Sequence, residues 1–224
     1  MNSDSDMDQS RALVLIPARN ESAHIGAIIS GCRAQGFTVW VLDDGSHDPT
    51  AMEAVMHGAK VLRREQPQGK TAILRWALAQ VPDEIEWLIF MDGDGQHRPA
   101  DLEKFWSRRT EADLVIGNRW AEVEQMPVVR RLTNRVMTWL INQLSGGHAP
   151  DSQCGFRLAR RRLLKDWQPR GQHFEFETEL YLHALRRKVL IISVPLRAVY
   201  GAEKSKIFWP RDAWRFIRCL AVRD

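Results

Sequence analysis

Cysteine is scarce in this chain. Cys32, Cys154 and Cys219 are scattered, with no C-x-x-C pair. That excludes a disulfide framework and a cysteine-based zinc site, and it suits the reduced thiols of a cytosolic protein. Long apolar runs are also missing: no stretch approaches the ~18 to 20 apolar residues of a membrane-spanning helix. The chain is therefore expected to be soluble or to lie on a membrane, not to cross one. No G-x-G-x-x-G follows the first apolar run, and no complete P-loop occurs, which argues against a dinucleotide enzyme and against ATP hydrolysis. Lysine is rare as well, 7 residues beside 25 arginines. Arginine grips phosphate with two prongs where lysine cannot, although a GC-rich genome gives the same bias. The formal charge of +4 is modest for 224 residues, and no nucleic-acid partner is expected. Residues 1–10, MNSDSDMDQS, lack the basic-then-apolar order of a signal peptide and read as a disordered acidic tail.

What the chain does have is enough apolar material for one large α/β domain, at 44% hydrophobic residues. The run at 12–17 (ALVLIP) is continuously apolar, as a strand buried on both faces requires. Further strands are expected at 38–42, 60–62, 86–91 and 113–117. Helices are expected at 22–34, from Pro49 onward, at 69–80 and at 99–109. This alternation predicts a mostly parallel sheet with helices on both faces. Beyond residue 120 the pattern predicts helices at 128–144 and 175–187 and an apolar strand at 189–199. A basic amphipathic helix at 210–222 carries Trp214, Ile217 and Ala221 among Arg211, Arg215 and Arg218.

Two acidic clusters, Asp43-Asp44 and Asp92-Gly93-Asp94, fall at the carboxyl ends of predicted strands. In parallel sheets ligands bind outside those ends, so both clusters are expected on one rim. The stretch MDGDGQH (91–97) invites a calcium-loop reading, with Asp92, Asp94 and Gln96 at loop positions one, three and five and Glu103 at twelve. That reading fails: His97 stands where glycine is needed, Pro99 follows, and a strand precedes instead of a helix. An Asp-x-Asp site for a divalent ion on a nucleotide diphosphate fits better, since phosphates complete the shell of a hard cation. Gly93 and Gly95 leave room for the ligand. Asp43-Asp44-Gly45-Ser46 suits either a helix-capping turn or a carboxylate for a base or ribose. The Gln68-Gly69-Lys70 turn before a helix suits a phosphate held by backbone N–H groups.

These residues resemble family 2 glycosyltransferases. ALVLIPARNESAHI is similar to the family's opening run and VLDDGSHDPT to its acidic turn. The likeness continues in order through QGKTAILRWAL, IFMDGDGQHRPADL, VIGNRW, DSQCGFRLARRRLL, FEFETELYLHALRR and SKI. Within the family the chain most resembles the dolichol-phosphate mannosyltransferase-like group. It departs from that group at Gly93, near Arg19, and at Tyr200, where an arginine is usual and Arg197 stands nearby.

The resemblance implies a Rossmann-like GT-A fold for nucleotide-diphospho-sugar transfer. It implies one domain at 11–208, with a donor half at 11–119 and an acceptor half at 120–208, followed by the basic helix at 209–224. Pro17, Asn20 and Glu21 would line the nucleotide pocket. Asp44 would contact uridine or guanosine, with Lys70 nearby. Asp92 would face the donor and serve catalysis. Asp94 and Gln96, with Asp92 beside them, would hold Mg²⁺ or Mn²⁺. Arg119 and Lys206 would grip phosphates and serve catalysis, Arg131 would meet an acceptor phosphate, and Glu179 would orient its neighbours.

The implied reaction is inverting sugar transfer from a UDP- or GDP-sugar to a lipid-linked acceptor, a polyprenyl phosphate above all. Such an acceptor is already ionised and needs no general base, and His97, His148 and His173 have no motif that marks one as a base. Transfer to a hydroxyl of a glycan or another lipid is the alternative, and a non-catalytic nucleotide-sugar or metal-binding module is a third reading. The expected location is cytoplasmic, peripheral on the inner face of the membrane through the C-terminal basic helix.

Overall fold

The ALVLIPA run forms β1 (Ala12–Ala18), buried on both faces along nearly its whole length. A computed structural model describes residues 9–120, 126, 128–171 and 175–197. In that structure β1 is followed by α1 (Ser22–Arg33), which buries Ile25, Ile28 and Ile29 against the sheet. Then come β2 (Thr38–Asp44), α2 (Thr50–Met56), β3 (Lys60–Arg64), α3 (Lys70–Leu78) and β4 (Trp87–Phe90). A 3-10 turn at Pro99–Asp101 leads into α4 (Leu102–Trp106), and β5 (Leu114–Asn118) follows. The second half supplies α5 (Val128–Ser145), β6 (Arg157–Arg160), α6 (Arg161–Leu164), α7 (Phe176–Arg186) and β7 (Ile191–Pro195).

The seven strands form one sheet in the order β3-β2-β1-β4-β6-β5-β7. The first four are parallel, and β7 joins β5 in parallel. β6 alone runs antiparallel, against both β4 and β5. The architecture is the expected mostly parallel α/β sheet. Because β1 lies between β2 and β4, the connections leave it in opposite directions, and a crevice opens at its carboxyl end.

Some expectations change. β6 went unrecognised, because RLAR carries two arginines and does not look like a buried strand. Yet Arg157 is fully buried there. Its guanidinium donates to three backbone carbonyls, from Nε to Cys154 at 2.9 Å, from Nη2 to Ser152 at 2.6 Å and from Nη1 to Glu177 at 2.5 Å. Carbonyl acceptors replace the water that a buried guanidinium loses. The helix expected at 99–109 is shorter, because it breaks into turns after Trp106. Lys206 and the basic helix expected at 210–222 lie outside the described residues, as does His173.

Candidate active site

The rim at the carboxyl ends of β1, β2 and β4 is tied together by side chains of its own loops. Asn20, at φ 56°, donates its N–H to Ser46 Oγ at 3.0 Å and accepts from His47 N at 2.9 Å. Glu21 N donates to Thr50 Oγ1 at 2.8 Å, and Ser22 N to Asp48 Oδ2 at 3.1 Å. The loop after β1 is thus fastened to the loop after β2, with Pro17 half-buried at its base and the Glu21 side chain buried behind it.

The two carboxylates at the end of β2 do different work. Asp44 accepts from Gln68 N at 2.9 Å through one oxygen and from Gly69 N at 2.7 Å through the other. The turn that was expected to offer those N–H groups to a phosphate gives them to Asp44 instead. Asp43 is fully buried, accepts from Ser46 N at 2.9 Å through Oδ1, and faces Arg63 Nε at 3.5 Å through Oδ2. That Oδ2 has no hydrogen-bond partner.

Past β4, Asp92 forms an ion pair with Lys70, which rises from the first residue of α3. Lys70 Nζ also lies 2.5 Å from Glu177 Oε1, on α7. Burial works against the ammonium charge, but the two carboxylates more than offset it and raise the lysine's pKa. Burial likewise works against Asp92, yet Lys70, then His97 and Arg119, hold its carboxyl down at about 2. Asp92 is therefore ionised and fixed. Its Oδ2 lies against Gly155, where an added Cβ would come within 2.3 Å; only glycine leaves the carboxylate its place. His97 is buried under this group and accepts from Asp92 N at 3.3 Å through Nδ1. Burial lowers its pKa despite the nearby aspartates, and the ring props the turn.

Asp94 is the contrast. Among the described residues it has no ion-pair partner, and its Oδ1 accepts only from Gln96 N, at 3.1 Å. Burial raises its pKa, and the negative charges of Asp92 and Glu21 push the same way. Gly95, at φ 77°, turns the chain between Asp94 and Gln96. Gly93 has an ordinary φ, and a Cβ there would meet Ala18 Cβ at 3.4 Å; the expected need for glycine applies to Gly95 alone. No group of three His, Cys, Asp or Glu side chains able to hold a metal occurs among the described residues. The protein offers Asp94 and half-buried Gln96, a partial set of hard oxygen donors. That fits a cation whose shell is completed by phosphates. Asp92, engaged by Lys70, is not an open third ligand.

Arg119, expected to grip phosphate, is buried in a two-pronged pair with Asp151, from Nε to Oδ2 at 2.7 Å and from Nη2 to Oδ1 at 2.9 Å. Burial opposes the Asp151 charge, but Arg119 outweighs it and lowers the pKa. Arg131 is half-buried on α5. Glu179 accepts from Arg170 N and Gly171 N, both at 2.6 Å, and so orients a loop, as expected. The acid that reaches the site is Glu177, which sequence reasoning missed. A signal was present: Glu177 shares a helical face with Leu180, Tyr181 and Ala184, all buried, while Glu179 does not.

The match to known proteins now adds what geometry leaves open. The model of glycosyl transferase family 2 matches residues 13–168. The chain belongs to glycosyl transferase family 2. It is a glycosyltransferase of GT-A fold, so the non-catalytic reading is set aside. Glycosyltransferase AglJ of Haloferax volcanii is 31% identical over 188 residues, covering 81% of this chain and 61% of that protein. A UDP-N-acetylglucosamine--dolichyl-phosphate N-acetylglucosaminyltransferase of Methanococcus voltae is 24% identical over 213 residues, covering 84% of this chain and 85% of that one. Among solved structures, glucosyl-3-phosphoglycerate synthase from Mycobacterium tuberculosis, in complex with Mn²⁺, UDP-glucose and phosphoglyceric acid, superimposes with a TM-score of 0.73 at 20% identity. It covers 97% of this chain and 84% of that one.

Proposed function

We propose that this family 2 enzyme transfers a sugar, with inversion and with a divalent cation, from a nucleoside-diphosphate sugar to a lipid-linked acceptor, a polyprenyl phosphate. The observation that carries the donor half is Asp94: a half-buried carboxylate in repulsive company, without a cation partner among the described residues, beside an Asp92 that Lys70 already neutralises. Mg²⁺ or Mn²⁺ at Asp94 and Gln96 would supply charge to stabilise the departing diphosphate. The relative that uses dolichyl phosphate and spans a similar length supports the acceptor class.

The chain's own residues divide the remaining work. Pro17, Asn20 and Glu21 shape the nucleotide pocket through the fastened loops. Asp44 closes the turn that presents Lys70. Asp43 is the carboxylate that keeps one oxygen without a hydrogen bond, beside Arg63, which also donates to Ser46 O at 3.3 Å, and a base at this rim would meet that pair. Asp92, kept ionised, accepts hydrogen bonds from the sugar and holds the anomeric carbon toward the acceptor. Arg119 is positioned by Asp151, and its charge, with those of Lys206 and Arg131, serves the phosphates of donor or acceptor. An acceptor phosphate oxygen attacks the anomeric carbon from the face opposite the diphosphate. The new C–O bond forms as the bond to the diphosphate breaks, and no proton has to be removed. His97 has no part as a base, since its Nδ1 already accepts from Asp92 N.

The test is a thermal-shift screen of UDP- and GDP-sugars with and without Mn²⁺, because a ligand of the folded state raises its stability. It is followed by incubation of the best donor with polyprenyl phosphate. The expected product is an acid-labile sugar phosphate. An acid-stable glycoside would replace the phosphate acceptor with a hydroxyl.

A further inference from the structure

A cleft of about 940 Å³ opens at the end of the sheet opposite the rim. Ile85 and Glu86, which lead into β4, line it, whereas Asp92 lies past the other end of that strand. The walls come from the last turn of α3, from the loop before β4, and from residues 160–168, where β6 passes into α6. Side chains from both halves of the chain hold these walls in place. Arg161 reaches across to Val81 O at 3.0 Å and to Asp83 Oδ1 at 2.9 Å. Arg75 donates to Pro169 O at 2.8 Å. The Trp167 ring stacks on His183, with centroids 5.3 Å apart, and leans on Phe176 at 5.5 Å. The cleft is therefore preformed, and its volume suits a small molecule.

Charge decides what it holds. Five cationic side chains line the cleft, with three carboxylates among them. Two of those carboxylates are engaged: Asp83 pairs with Arg161, and Glu86 with Arg11. Arg162 is matched by Asp113. Arg75, Arg160 and Lys165 remain without an ion pair among the described residues, and Asp166 is the one carboxylate left beside them. Arg75 feels Glu179 only at longer range. Arg160 lies over the Trp87 ring, 4.5 Å from its centroid, and Lys165 is exposed. A concave site with an excess of one charge concentrates counter-ions, the more so where its walls are apolar, as Leu78, Val81 and Ile85 make them here. We propose that this cleft binds a small phosphorylated compound carrying two or more negative charges.

The site is separate from the one that takes the donor, and the inference does not depend on the donor or the acceptor. No residue of the rim lines the cleft. It also differs in kind: the rim presents carboxylates and calls for a cation between itself and a phosphate, whereas the cleft presents cations and needs no metal.

The experiment uses the full chain in metal-free buffer at low salt, with pyrophosphate as the probe and inorganic phosphate as the weaker comparison. Calorimetric titration is expected to show saturable pyrophosphate binding that weakens as salt is added. Hydrogen exchange locates it: pyrophosphate should protect amides within 79–86 and 164–168 and leave 92–97 unchanged. Lys165→Glu should weaken the binding at least about tenfold, the scale of one charge-assisted contact, with an unchanged melting temperature because the side chain is exposed. Arg160→Gln, which also removes the contact with Trp87, should weaken it comparably. No saturable binding up to about 10 mM overturns the proposal. So does protection confined to 92–97, which would put the anion at the rim. Undiminished affinity in Lys165→Glu and in Arg160→Gln overturns it as well.

Discussion

Arg119 and Asp151 come from opposite halves of the chain and meet as a buried fork, with 2.7 and 2.9 Å between the paired atoms. Both are nearly inaccessible to water, so neither charge has an alternative partner in solvent. Asp151→Asn is expected to destabilise the fold by about 3 to 5 kcal/mol, the scale of removing one partner of a buried ion pair. Urea unfolding measures this. A loss below about 1 kcal/mol, the range of exposed pairs, would show that the pair is not buried in solution.

Asp94 is expected to behave in the opposite way. Its carboxylate is held among negative charges, so Asp94→Ala should leave the melting temperature unchanged or slightly higher. The same variant should lose Mn²⁺-dependent turnover by at least about a hundredfold, the scale of losing one electrostatic stabiliser of the transition state. Full activity with the metal requirement intact would remove Asp94 from the site.

Gly155 gives a test of Asp92 that leaves the aspartate in place. A methyl group added there would lie 2.3 Å from the Asp92 carboxylate, so Gly155→Ala has to displace it. Misplacing a reacting group by about 1 Å costs on the order of a hundredfold in rate. The expected result is a folded protein with kcat reduced by that factor. Unchanged kcat would mean that Asp92 does not need its present position.

Asp48 fixes the pH dependence of the loop lattice. Burial works against its charge, but hydrogen bonds from Thr50 and Ser22 prevail and lower its pKa from 3.8 to about 2. A carboxyl with a depressed folded-state pKa contributes stability above its unfolded value, and that contribution fades as pH falls through the folded one. The wild-type chain should therefore lose more stability than Asp48→Asn on titration from pH 4 down to about 2. Parallel stability curves for the two proteins would exclude the linkage.

The parallel half of the fold was legible because a strand buried on both faces has to be continuously apolar, as β1 and β4 are. The acidic rim was legible for the same reason: a buried strand ends where charge begins, at Asp43 and Asp92. Partnership was not legible. Nothing local to Lys70 shows that it lies between Asp92 and Glu177, one 22 residues away and the other on a helix of the second half. Nor does RLAR announce a central strand, since the carbonyls that satisfy Arg157 come from three separate places. Of two neighbouring aspartates, the one chosen for the base, Asp44, holds a turn, and Asp43 keeps the oxygen without a hydrogen bond.

The antiparallel β6 has a consequence for the order in which the protein is made. Residues 87–90 and 114–118 emerge from the ribosome first, but their edges meet only through residues 157–160, which come later. Until then the β4 edge is unpaired, open to any other strand that reaches it. A fragment cut at residue 119 would keep this edge for good. The donor half and the acceptor half are therefore names for regions of one sheet, and a nascent chain becomes safe from mispairing only when its second half has arrived.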